Sequence, residues 1–103
     1  NENIEDMENV DWLYELRPVN FTYRADQGHS RQYGLIAEEV EQVKPELVAY
    51  DEEGLPKTVS YTALIAPLLK AVQELQARVG EQQKIIESLE TRLDQLLSDP
   101  KDH

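Results

Sequence analysis

Cysteine is absent from this 103-residue chain, so disulfides, thiolate nucleophiles and thiolate metal sites are excluded. Histidine occurs only at positions 29 and 103, a spacing that suggests no zinc site. We therefore expect no metal and no cofactor. The chain also lacks an apolar run of the roughly 18 residues that a membrane span requires. Its first residues have neither the basic start nor the apolar stretch of a signal peptide.

Basic residues are scarce: the chain has 10 Lys and Arg residues against 21 acidic residues, a formal net charge of −11. Positions 1–60 hold 14 of the acids and 5 of the bases, so most of the excess lies in the first part. Nucleic acids and anionic membranes attract a basic surface. We therefore expect neither as a partner.

A heptad pattern occupies the C-terminal third of the chain, with apolar residues at alternating steps of three and four. Such a pattern over more than four heptads is typical of a coiled coil, and a head of about 60 residues is too small to bury the stripe. Only Gln82 interrupts it, and we interpret this residue either as a register determinant or as a tolerated defect. The a and d positions, which we call the seam, are Ile65, Leu68, Val72, Leu75, Val79, Gln82, Ile86, Leu89, Leu93 and Leu96.

The number of helices that associate in the coiled coil follows less directly from the pattern. β-branched residues at a with Leu at d favour a parallel dimer. The flanking e and g positions are also partly apolar, as at Leu69, Ile85 and Leu97, and a wider stripe suits a larger bundle. We favour a parallel homotrimer over a dimer. Pro67 would fall in the second turn of a helix capped by Thr62 and would kink it, and Asp99-Pro100 should end the helix near Ser98.

The first sixty residues alternate between helix and strand patterns. Residues 4–15 have apolar residues at helical spacing after a possible N-cap at Asn3, and Val19, Phe21 and Tyr23 alternate as in a strand. A short helix is predicted over 37–44, and a hairpin over 47–61 with Gly54 in its turn. The predicted fold is α+β: a small mixed head (1–61), a coiled-coil stalk helix (62–98) and a frayed tail (99–103).

No arrangement of residues in this chain indicates catalysis. Glu38 and Glu39 are neighbours on a predicted helix and point in different directions, so a solvated face is favoured over an acid/base pair. The acids at 51–53 form a charged hairpin tip. The aromatic residues are better explained as head core or head-to-head contacts than as a ligand platform. From these patterns alone, the chain is an oligomerising module without a visible active site.

Five short motifs in order carry a family resemblance: Glu2-Asn3-Ile4-Glu5, Leu16-Arg17-Pro18-Val19 with Phe21 and Tyr23, Tyr33-Gly34-Leu35-Ile36-Ala37-Glu38-Glu39-Val40, Pro45-Glu46-Leu47-Val48 and Val59-Ser60-Tyr61. Over roughly residues 1–76 the chain resembles the C-terminal intramolecular chaperone domain of endosialidase-type phage tail spikes and tail fibres, which is also found in myelin regulatory factor. Within these motifs we single out Arg17, Pro18, Gly34, Pro45 and Tyr61 as structural residues. Gly34 has two interpretations. Either the backbone requires a glycine there, for a close approach or a positive φ, or it is an ordinary turn glycine.

The resemblance implies a domain that trimerises, assembles the β-rich fibre or spike domain that precedes it in the same chain, and is then released by serine-type autoproteolysis. It also implies assembly in the host cytoplasm, with the parent protein in the virion tail or appendage. The family's nucleophilic Ser would lie upstream of Asn1, and its Lys matches Asn1, which cannot act as a base. We therefore assign no catalytic residue. The alternative is a permanent trimeric interaction or adaptor module that is not cleaved.

Overall fold

The computed structural model describes residues 2–22 and 30–98, which form a small strand-and-helix head followed by one long helix. Contacts divide the chain into two compact units, with the boundary between Lys70 and Ala71. The fold is α+β, as the sequence predicts. The division at residue 61 stays a prediction. The tail from 99 onward and the aromatic residue Tyr23 lie outside the described residues.

Two antiparallel strand pairs make up the β structure of the head. Strand β1 (Val19–Phe21) pairs with β2 (Gln32–Gly34), so that Val19 lies opposite Gly34. Strand β3 (Val48–Tyr50) pairs with β4 (Pro56–Val59). The predicted hairpin is therefore confirmed, and Gly54 in its turn adopts φ 82°, a backbone conformation that favours glycine.

Helix α1 (Ala37–Val43) confirms the short predicted helix, which ends before Pro45. Pro45 opens a 3₁₀ turn, Pro45–Leu47, where its fixed φ suits the first helical position. Helix α1 packs mainly against β4, and apolar side chains between these elements form the core of the head. The main buried cluster consists of Val40, Leu47, Val48, Val59 and Leu64, against which Trp12, Leu13, Leu16, Leu35 and Ala37 pack. Val10 is buried as well.

The helix predicted over residues 4–15 is wrong for its first half. Residues 4–10 have no regular secondary structure, and only the 3₁₀ turn Asp11–Glu15 forms. Asn3 does not act as the expected helix cap but adopts φ 56°. The Asn9 side chain accepts a hydrogen bond from the Asp11 backbone N–H (2.8 Å), a local bond that competes with helix formation. Ile4 is 82% exposed and only Val10, at the end of the segment, is buried, so little packing compensates for the poor helix propensity of these acidic residues.

Helix α2 (Ile65–Ser98) is the longest element, and it starts three residues later than predicted. Thr62 is not a cap but the first residue of a 3₁₀ turn, Thr62–Leu64. Pro67 is therefore in the first turn of α2, where backbone N–H groups have no intrahelical acceptor. The physical basis for the expected kink is thus removed. No helix among the described residues combines the length and apolar composition needed to cross a lipid bilayer.

Candidate assembly interface

The seam of helix α2 lies on the surface of the chain. Its least exposed apolar member, Leu75, is still 43% exposed, and its most exposed, Leu96, is 70% exposed. Gln82 is exposed as well. All ten predicted interface residues are thus on one continuous helix and uncovered in the single chain. Two of them, Ile65 and Leu68, belong to the head unit, and the other eight belong to the stalk unit.

The apolar surface of α2 extends beyond the seam. Leu69, Ile85 and Leu97, at the flanking e and g positions, are between 54% and 76% exposed. A soluble protein rarely leaves such a large contiguous apolar surface open unless another surface covers it. Every described residue from Leu75 to Ser98 is exposed, so the chain itself provides no cover for the distal part of the seam.

In the head, Arg17 joins two of the sequence motifs. Its guanidinium donates from Nε to Glu39 Oε1 (3.1 Å) and from Nη2 to Glu39 Oε2, a two-pronged contact between the segment before β1 and helix α1. The hydrogen bond from Arg17 lowers the pKa of the Glu39 carboxyl below its ordinary value, and the positive charge acts in the same direction. Both side chains remain partly exposed, so the pair orients two elements more than it stabilises them.

Gly34 and Tyr61 meet in a second contact between motifs. A Cβ on Gly34 would lie 2.7 Å from the Tyr61 hydroxyl oxygen and 3.0 Å from Cε1 of Phe21. The Leu35 backbone N–H donates to the same hydroxyl (3.0 Å). Of the alternatives left open by the sequence, close approach therefore explains Gly34, since its φ is not positive.

The remaining motif residues have local roles. Pro18 is exposed and directly precedes β1, and Pro45 starts the 3₁₀ turn that leads into β3. Lys44, beside Pro45, places its ammonium 5.1 Å from the centre of the Trp12 ring and 3.4 Å from Glu46 Oε2. These contacts connect the first 3₁₀ turn to the end of α1.

Within residues 2–22 and 30–98, no group of His, Asp and Glu side chains is arranged to hold a metal ion. The Asp51 carboxylate accepts the backbone N–H groups of Glu53 and Leu55 (2.9 Å each), so it acts as a turn residue. Asn1, the position that matches the family's Lys, lies outside the described residues. The sequence assigns no catalytic residue, and the described geometry adds none.

A family model described as chaperone of endosialidase matches residues 2–49, just under half of the chain. Residues 2–49 are thus similar to the chaperone-of-endosialidase family, in agreement with the resemblance carried by the sequence motifs. A search of curated proteins finds no match. The matched segment contains four of the five structural motif residues, and Tyr61 lies beyond it but bonds to Leu35 inside it. The hairpin turn and helix α2 also follow the matched segment.

Sequence reasoning did not identify Glu39 or Lys44 as contact residues. Glu39 was interpreted as part of a solvated face, whereas it is the partner of Arg17. The two residues are 22 positions apart, and no pattern in one sequence connects them. Of the aromatic residues expected in the core or between heads, Trp12 packs on the core, whereas Tyr33 is 85% exposed.

Proposed function

We propose that the chain is an intramolecular trimerisation chaperone that aligns and assembles a preceding phage tail spike or tail fibre domain. The observation that carries the proposal is the uncovered seam of α2 in a chain whose residues 2–49 match the chaperone-of-endosialidase family model. Seam residues of three parallel copies would pack against one another as knobs into holes. The partners proposed are two further copies of this chain and the β-rich domain upstream.

The mechanism proposed is alignment by local concentration. Long-range β pairing is slow because distant strands must meet before any contact stabilises them. Joining three chains through a coiled coil makes these encounters intramolecular and sets a common register. Assembly would take place in the host cytoplasm, and the mature spike or fibre would be part of the virion tail or appendage.

The test is a double substitution in the seam, Val79→Asp with Ile86→Asp, introduced into the parent protein. Two buried charges per chain should disrupt the stalk and leave the parent protein unassembled. Native gel electrophoresis and electron microscopy measure the assembly. Ser88→Asp with Thr91→Asp is the matched control, because it adds the same charges at exposed positions outside the seam. A seam variant that assembles as well as this control would refute the proposal.

Release by autoproteolysis is part of the proposal, with a Ser upstream of Asn1 as the nucleophile. The second candidate is a permanent trimeric interaction or adaptor module that is not cleaved, and one observation favours it: Asn1 cannot supply the base expected at the family's Lys position. Intact-mass measurement of the expressed parent separates the two. Two fragments with a new N-terminus near this domain would indicate self-cleavage, and a single full-length species would indicate the permanent module.

A further inference from the structure

Helix α2 contains one stretch without apolar side chains in the middle of its seam. The five residues Gly80–Lys84, which we call the weak segment, are the longest such run in the helix. The segment separates Val79 from Ile86, the apolar seam residues on either side, by a full heptad. Elsewhere in the seam, apolar residues follow one another at three or four positions.

Gly80 weakens the helix, and no packing within the single chain requires a glycine there. A Cβ built at this position would meet nothing within 4 Å, so space does not explain the glycine. Relative to alanine, glycine in a helix interior lowers local helix stability by about fivefold in the equilibrium constant. In the same segment, Gln83 donates a hydrogen bond to Glu87 along the helix surface (3.3 Å). Its neighbour Gln82 occupies the seam position.

Gln82 weakens association at the same place. In a bundle of copies its amide would enter an otherwise apolar layer, and a polar residue in a coiled-coil core lowers stability while specifying register. The helix and the seam are therefore weakest within the same five residues. Two independent features, one of the backbone and one of the side chains, coincide there.

We propose that the weak segment divides the stalk into two cooperative blocks that open and close separately. The proximal block is Ile65–Val79, and the distal block is Ile85–Leu97. One block can hold the copies together while the other opens and changes register, which allows correction of misaligned chains during assembly. This inference rests on the proposed self-association of the chain and specifies how the associated stalk behaves.

Hydrogen exchange with mass spectrometry on the full chain, at a concentration where it is associated, tests the division. Amides in the weak segment should exchange at least tenfold faster than those in both blocks. The variant Gly80→Ala with Gln82→Leu should slow exchange in the segment by at least fivefold, since the alanine alone supplies that factor. The second variant, Gly80→Ala alone, should slow exchange in the segment by about fivefold. The control Ser88→Ala, an exposed change in the distal block, should leave exchange in the segment unchanged.

Light scattering on the same samples distinguishes the ways in which the inference can fail. If the chain is associated and the weak segment is as protected as its flanks, the two-block division is wrong and the proposed function is unaffected. If the chain is monomeric and the whole of α2 exchanges uniformly fast, both the division and the proposed function are wrong. Faster exchange confined to the weak segment of an associated chain supports the division.

Discussion

At the scale of single residues, the head depends on a few contacts between distant motifs. Tyr61 accepts the Leu35 N–H and covers the bare Cα of Gly34, so β2 and the segment after β4 can approach closely. Arg17 joins the segment before β1 to α1 through Glu39. The sequence motifs are thus explained in this chain by contacts that fix the relative positions of the head elements.

Gly34→Ala should destabilise the head by about 1–3 kcal/mol, because the new methyl group meets the Tyr61 hydroxyl oxygen at 2.7 Å. Tyr61→Phe removes that oxygen, so the alanine should cost less in the Tyr61→Phe variant than in the original chain. Urea unfolding of the two single variants and the double variant measures this coupling. Strictly additive effects would show that the hydroxyl does not determine the need for glycine.

Glu39 should make the stability of the head depend on pH. The hydrogen bond from Arg17 lowers its folded-state pKa, so the ionised form favours folding. The contribution is complete above the unfolded pKa of about 4.3 and is lost as the pH falls through the lower folded value. Glu39→Gln should therefore lower the urea midpoint at neutral pH and leave it nearly unchanged in strong acid.

The neighbouring exposed variant Glu38→Gln removes the same charge and serves as the control for this pH dependence. An equal effect of the two substitutions at neutral pH would attribute the loss to net charge rather than to the contact with Arg17. In that case the two-pronged contact would not stabilise the head.

At the scale of elements, the sequence predicts structure well where local chemistry decides it. The hairpin is correct because Asp51 accepts two backbone N–H groups and Gly54 adopts a positive φ, and both preferences belong to the residues themselves. The prediction of helix α1 is correct because Pro45 prevents the helix from continuing. The prediction fails for residues 4–10, where apolar spacing resembles a helix but only Val10 is buried and residues 4–9 are exposed.

Asp51→Ala should destabilise the hairpin by about 1 kcal/mol or somewhat more, since the Glu53 and Leu55 N–H groups lose their shared acceptor. Asp51→Asn keeps an acceptor oxygen at the same place and is the matched control. Thermal unfolding followed by circular dichroism measures both variants. If Asn destabilises the hairpin as much as Ala does, the carboxylate charge rather than the turn geometry is responsible.

The contacts between motifs lie beyond single-sequence prediction. Arg17 and Glu39 are 22 residues apart, and Leu35 and Tyr61 are 26 apart. Residue spacing predicts which side chains share a helix or strand face, but it contains no information on which elements meet. The predicted start of α2 is three residues too early for a related reason. A 3₁₀ turn is common at the start of an α-helix, and here the turn accompanies packing of Leu64 in the core, which residue spacing does not reveal.

At the scale of the whole molecule, the two parts of the chain differ in what they bury. The head has a small core of its own, whereas the seam of α2 is exposed along its length. Burying a side chain that is about half exposed stabilises a complex by on the order of 1 kcal/mol, and nine apolar seam residues in each copy would contribute. Heptad spacing predicts which residues join the copies, whereas the number of copies depends on packing between chains, and both stay predictions.

The most direct test of the account is the solution mass of this chain, measured by light scattering after size exclusion over a dilution series. We predict a stable particle of about 36 kDa, three times the chain mass of 11.9 kDa. The Val79→Asp, Ile86→Asp variant should instead elute as a folded monomer. A mass of 11.9 kDa for the unmodified chain at all concentrations would contradict the claim that the seam joins three copies.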